Sequence, residues 1–186
     1  MGAALPAVTV LGPESTGKTT LAAELARRLG AALSGEAARE YARALGGARP
    51  LGPGDVLPIA RAQIELQDAA DARATVEGRG LAVRDTDLVS TTAYAWWYYR
   101  LREPWLDDAA RARRARHYLL CDVDLPWAPD PVRDPSMAHA GTRGAALAMF
   151  VDELARHGCA WSWVRGAGEA RTEQALRALW TAGVLA

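Results

Sequence analysis

The chain has 186 residues, half of them hydrophobic and about a quarter charged, and its 22 basic and 22 acidic residues cancel. That length suits one domain with a core of its own, and the neutral balance excludes a disordered chain and disfavours nucleic acid as a partner. Cys121 and Cys159 are the only cysteines and show no metal-ligand spacing, which fits a reducing cytoplasm and argues against structural zinc. The opening "MGAALPAVTVLG" has no basic leader and no apolar run of about eighteen residues, so neither a signal peptide nor a membrane span is expected. Pro6 also stands where a myristoylation signal needs Ser or Thr.

In chain order, Val8 to Leu11 reads as a buried strand ended by Gly-Pro. A helix follows with Leu21, Leu25 and Leu29 at four-residue spacing, and Gly30 stops it. Ala31 to Ser34 is a short second strand, and "GEAAREYARAL" a helix ending at Gly46-Gly47. After the loop "GGARPLGPGD", Asp55 is placed to cap a long helix to about Glu77, with Pro58 in its first turn and Gly78 closing it. Leu81 to Val83 is the third strand, with acids just past its carboxyl end. "STTAYAWWYYRL" and "WLDDAARARRAR" read as helices, and "HYLLCDV" as a fourth strand. The basic run at residues 110–116 reads as a solvated helix face. "DLPWAPDPVRDPSMAHAGTRG" is too long and too rich in Pro, Asp and Gly for an ordinary connection, and reads as a lid over about residues 126–144. Ala145 to His157 is a helix, "AWSWV" a fifth strand, and Arg171 to Ala182 the last helix. Strands alternating with helices predict an α/β fold, a doubly wound parallel sheet of five strands in a single domain.

The first loop carries the chemistry. Gly12, Gly17, Lys18 and Thr19 fit GxxxxGK[ST], the phosphate-binding loop, and the strand before it and amphipathic helix after it supply the context that motif requires. Of the 22 basic residues 21 are Arg, and the single Lys is Lys18. A compact ammonium on a flexible stem fits inside a loop of backbone amides where a planar guanidinium does not. Gly12, Glu14, Ser15, Thr16, Gly17, Lys18, Thr19 and Thr20 would cradle the phosphates of ATP, with Lys18 on the β- and γ-phosphates and the Thr19 hydroxyl on Mg²⁺. Asp85 is the Walker-B-type candidate for the same metal, the alternative for Asp85 or Asp87 being a helix cap.

Phosphoryl transfer to a hydroxyl also needs an acid to orient and deprotonate the acceptor, and Glu36, Asp85 and Asp87 are all in position at strand ends. Arg39 lies one helical turn after Glu36. Arg133 and Arg143 in the lid segment offer movable positive charge for the transferring group. Trp127 beside Pro126 offers an indole face, on which a cationic ring would gain about 1–2 kcal/mol when desolvated. Arg171, after the last strand, is a positional candidate to stack on adenine.

With these residues placed, the chain resembles the ribosylnicotinamide kinase domain of the NadR family, one of the P-loop kinases related to nucleoside and nucleoside monophosphate kinases. The stretches that carry the resemblance are "GPESTGKTTLA", "GEAAREYAR", "IARAQIEL", "VRDTDLVSTTAY", "LPWAPDPVRD" and "VRGAGEARTEQAL", in that order. It implies transfer of the ATP γ-phosphate to the 5′-hydroxyl of nicotinamide riboside. It also implies that Lys18 and Thr19 hold triphosphate and Mg²⁺, that Asp85 and Asp87 serve metal and acceptor, that Glu36, Arg39 and Tyr41 line the acceptor pocket, and that Trp127 and Asp130 meet the nicotinamide. Which of Glu36, Asp85 and Asp87 acts as base stays open. NadR proteins with an adenylyltransferase or repressor domain carry it before this unit; here the first strand starts at residue 7 or 8, so a stand-alone enzyme is expected. The rival readings are a kinase for another nucleoside and a nucleotide-dependent switch, though no NKxD guanine-reading motif occurs.

Overall fold

A computed structural model describes residues 5–46, 49–128 and 142–185. Five parallel strands form one sheet: β1 (Ala7–Leu11), β2 (Ala32–Ser34), β3 (Ala82–Asp85), β4 (His117–Cys121) and β5 (Trp161–Val164). Their spatial order is β2-β3-β1-β4-β5, so β1 is central and the chain reverses direction of winding beside it. The helices are α1 (Lys18–Leu29), α2 (Ala37–Ala44), α3 (Val56–Val76), α4 (Leu88–Tyr99), α5 (Pro104–Ala112), α6 (Arg143–Arg156) and α7 (Gly168–Thr181). In such sheets ligands bind outside the carboxyl ends of the strands where the order reverses, which is where the loop after β1 lies.

Successive strand residues point to opposite faces, and each face has its own apolar cover. Val8, Val10, Val83, Leu119 and Cys121 pack with Leu21, Leu25, Ala175 and Leu179 of α1 and α7. Leu11, Ala82, Tyr118 and Leu120 pack on the other face with Val89, Leu106, Phe150 and Leu154. Burial on both faces explains why the inner strands read as continuous apolar runs rather than alternating ones. Among the described residues no helix is long and apolar enough to cross a membrane.

Several elements depart from the sequence reading. β3 runs on to Asp85, with Arg84 buried inside it because its guanidinium donates to Asp71 Oδ2 at 3.3 Å and to the Arg113 carbonyl at 3.0 Å. α5 stops at Ala112, so only Arg111 of the basic run lies on a solvated helix face and the rest lies past the helix. The later arginines are staples: Arg113 pairs with Asp68, Arg114 donates to the His157 carbonyl at 2.7 Å, and Arg116 to the Gly183 carbonyl at 2.7 Å. Asp55 does not cap α3 with its side chain. Its carboxylate takes both arms of the Arg49 guanidinium at 2.6 and 2.7 Å, the Tyr41 hydroxyl at 3.0 Å and the Gly52 N–H at 2.8 Å. α7 begins at Gly168, which puts Arg171 in its first turn. The aromatic run on α4 divides as its helical spacing requires: Trp97 packs against the core, whereas Trp96 is 36% exposed and lies under Arg100 and Arg102.

A buried ionic cluster ties α6 to α4 and α5. Glu153, 2% exposed, takes Arg102 at 2.5 Å and Arg156 at 2.8 Å, with the Thr92 hydroxyl at 3.2 Å and His157 at 3.5 Å. Burial pushes its carboxyl up, but hydrogen bonds from His157, Arg102 and Arg156 outweigh that and hold it well below the usual carboxylate range. A depressed carboxyl stabilises the fold above its unfolded pKa, and that contribution is lost as pH falls through the folded value. Glu153→Gln should therefore cost roughly 1–3 kcal/mol at pH 7, because it takes the paired carboxylate from Arg102 and leaves Arg156 only its second one, Asp107 of α5 at 2.6 Å. Urea midpoints should show the gap to the parent narrowing as pH drops below about 4. An equal gap at pH 7 and pH 3 would mean that the charge contributes nothing.

Candidate active site

β1 delivers the chain to Gly12, whose φ of 143° lies where only glycine is at ease. A Cβ there would meet the Cys121 carbonyl oxygen at 2.7 Å, so β4 presses the loop too closely for any other residue. The loop is then pinned from within. The Thr16 hydroxyl donates to the Pro13 carbonyl at 2.8 Å, and Lys18 Nζ, on a residue only 7% exposed, donates to the same oxygen at 2.6 Å. Gly17 turns the chain into α1 at φ 72°, with no side-chain cap and no acid in the first turn of the helix. The amides there keep their hydrogen-bonding capacity for an anion, and the helix dipole favours one. Glu14 and Ser15 are half-buried, and Thr19 and Thr20 are exposed beside them.

The acids arrive from neighbouring strand ends. Val10 of β1 pairs with Asp85 of β3. Asp85 is 4% exposed and takes a hydrogen bond from the Thr19 hydroxyl, while its buried Oδ1 has no partner among the described residues. Burial raises its pKa first, the Thr19 hydrogen bond opposes that, and the nearby Glu36 carboxylate raises it further. A hydroxyl, a buried carboxylate and an unused carboxylate oxygen suit a hard divalent cation that takes its remaining ligands from phosphates and water. Thr19 and Asp85 are the residues that would hold Mg²⁺.

Glu36 follows β2 at the start of α2, 8% exposed, and Arg39 Nε donates to its Oε2 at 3.3 Å. Asp87 is turned elsewhere. Thr86 between the two acids has φ 67°, a strained value for a β-branched residue, and it sends the two side chains apart. Asp87 accepts from the Val89 N–H at 2.9 Å as the cap of α4, from the Thr9 hydroxyl at 3.2 Å, and from Tyr118. It is 3% exposed, and burial raises its pKa. Both of its oxygens are used inside the protein, so its place is structural and not on the acceptor. Tyr41 likewise gives its hydroxyl to Asp55, which anchors it to the α2–α3 connection.

The arginines also differ from expectation. Arg143, at the start of α6 and 8% exposed, donates to the Leu125 carbonyl at 2.9 Å and to the Ser15 carbonyl at 3.2 Å. Arg171, 4% exposed, donates to the Thr16 carbonyl and the Gly166 carbonyl, each at 2.7 Å, and to Asp124 Oδ1 at 3.1 Å. Both guanidinium groups grip the backbone around the phosphate loop, and for Arg171 this replaces a stack on a base. Asp124 was not singled out by sequence; its one signal is its position just past β4, where Asp122 also pairs with Arg165 at 2.7 Å. Trp127 is half-buried, its indole N–H without a partner among the described residues, and the Ser15 hydroxyl donates to the carbonyl of the next residue, Ala128. Asp130 and Arg133 lie outside the described residues.

A central strand, a glycine loop running into an uncapped helix, and a buried carboxylate at the next strand end define a P-loop protein of kinase-like α/β fold. Residues 7–171 match the family model AAA_28, described as an AAA domain, and the chain belongs to that family. Among solved structures it is similar to a NadR protein in complex with NR, at TM-score 0.78 and 23% identity over 98% of this chain and 52% of that one. It is similar also to a NadR protein in complex with NAD and AMP-PNP, at TM-score 0.76 and 23% identity over 98% of this chain and 51% of that one. Thymidylate kinase from Ehrlichia chaffeensis shares the fold at TM-score 0.69 and 14% identity, over 94% of this chain and 98% of that one. The chain thus spans about half the length of the NadR structures. No curated protein sequence matches it.

Proposed function

We propose that the protein transfers the γ-phosphate of ATP to the 5′-hydroxyl of nicotinamide riboside, giving nicotinamide mononucleotide and ADP. The observation that carries the kinase half is the group at the carboxyl ends of β1, β2 and β3: Lys18, the Thr19–Asp85 pair, and Glu36 close enough to Asp85 for their charges to interact. Bound Mg²⁺ would neutralise charge on the β- and γ-phosphates. Lys18 and the loop amides bind and orient the triphosphate, and Asp85 with Thr19 would hold the metal. Glu36 takes the proton of the acceptor hydroxyl as its oxygen bonds to phosphorus and the bond to ADP breaks. Asp87, spent on its own helix, has no part in that transfer.

The acceptor half rests on likeness and chemistry together: the NadR fold, one relative of which is seen with NR, and the Trp127 indole, whose face suits a positively charged pyridinium. Trp127 is held near the phosphate loop by the Ser15 contact to Ala128. A direct test compares nicotinamide riboside, a cation, with its neutral dihydro form and with uridine. Trp127→Ala should raise KM for the cationic riboside about 5- to 30-fold and leave any turnover of the two neutral acceptors unchanged. Equal losses on all three would remove the cation-recognition role, and preference for uridine in the parent would discard the acceptor while leaving the phosphoryl-transfer machinery in place.

A further inference from the structure

We infer that Arg171 is a positioning residue for phosphate binding, acting through the Thr16 carbonyl. A trans peptide points its C=O and its N–H to opposite sides. Arg171 Nη2 holds the Thr16 oxygen at 2.7 Å, which fixes the plane of the Thr16–Gly17 peptide and with it the direction of the Gly17 N–H. Arg143 Nη2 does the same for the Ser15 oxygen at 3.2 Å and so for the Thr16 N–H. Two successive amides of the phosphate loop are thus oriented before any ligand arrives, by guanidinium groups from α6 and α7. Such a loop loses less freedom on binding an anion than one that must order itself.

Arg171 is itself built into place. Its Nη1 is shared between Asp124 Oδ1 at 3.1 Å and the Gly166 carbonyl at 2.7 Å. Asp124 meanwhile accepts from the Gly166 N–H at 2.5 Å, which closes a ring between the segment after β4, the segment after β5 and the first turn of α7. This arrangement joins the loop after the last strand to the phosphate loop through one guanidinium. Lysine cannot reproduce it, because one ammonium does not span three acceptors in a plane.

The test uses a fluorescent ADP analogue displaced by Mg-pyrophosphate, by ADP and by adenosine. Arg171→Lys should weaken pyrophosphate and ADP by the same factor, about tenfold, and leave adenosine unchanged. Unchanged pyrophosphate with weakened adenosine would overturn the inference and restore Arg171 as a base-stacking residue. Uniform weakening of all three with a lowered melting midpoint would also overturn it, by showing a general structural role. If Arg171→Lys does not fold, Asp124→Asn decides. It keeps the guanidinium but loosens it, and should weaken pyrophosphate about threefold with adenosine unaffected, whereas no change in pyrophosphate counts against the proposal. No acceptor enters these measurements, so failure of nicotinamide riboside as substrate leaves the result interpretable.

Discussion

Lys18→Met is expected to lower kcat/KM for phosphoryl transfer by about a thousandfold with little change in melting temperature. Met matches the length of the Lys stem and removes the ammonium, with its charge and its hydrogen bond to the Pro13 carbonyl. Lys18 is 7% exposed and its Nζ lies 2.6 Å from the Pro13 carbonyl, so the ammonium is already held inside the loop it would serve. Losing it strips the developing negative charge of a donor in a site largely shielded from water, where such a donor counts for most. Lys18→Arg should rescue poorly, since a planar fork replaces a point charge in an enclosed space. ADP release at saturating Mg-ATP measures both variants. More than a tenth of parental turnover in Lys18→Met would show that the loop does not stabilise the transferring phosphate.

The second large effect separates the two acids at the cleft. Glu36→Gln should lower kcat by about 10²- to 10⁴-fold, the usual contribution of a positioned base, while nucleotide affinity stays near the parent value. Asp85→Asn should also cut turnover, but with a raised Mg²⁺ requirement and weaker Mg-nucleotide binding, because its carboxylate is paired with the Thr19 hydroxyl. Titrating Mg²⁺ at fixed ATP distinguishes them. Should Glu36→Gln shift the Mg²⁺ midpoint and Asp85→Asn leave it unmoved, the two roles would be exchanged. Asp87→Asn tests the same division from outside: it keeps the shape of the α4 cap and sits apart from the acceptor, so loss of stability should exceed loss of kcat.

The loop after β1 is legible in the sequence because its backbone geometry recurs at fixed spacing, and Gly12 and Gly17 stand at positive φ where that spacing puts them. The doubly wound sheet followed from strands alternating with helices, and its NadR-like fold from motif order. What stayed hidden depended on contacts far apart in the chain or on a single torsion. Nothing local shows that Thr86 takes φ 67° and turns Asp87 inward, or that the partner of Arg171 is a carbonyl 155 residues away. The same holds of the basic run past α5: Arg113, Arg114 and Arg116 find acceptors on α3, after α6 and after α7, and each of those lies outside any local pattern.

The account rests on acceptor-dependent phosphoryl transfer from ATP, and the most direct measurement is the product itself. Purified protein incubated with Mg-ATP and nicotinamide riboside, followed by ³¹P NMR, should show one phosphomonoester of nicotinamide mononucleotide formed for each ADP, and nothing beyond trace ADP when the riboside is left out or Lys18→Met is used. Steady release of ADP and inorganic phosphate without acceptor, and no phosphomonoester with it, would contradict the account and identify a nucleotide hydrolase in place of a kinase.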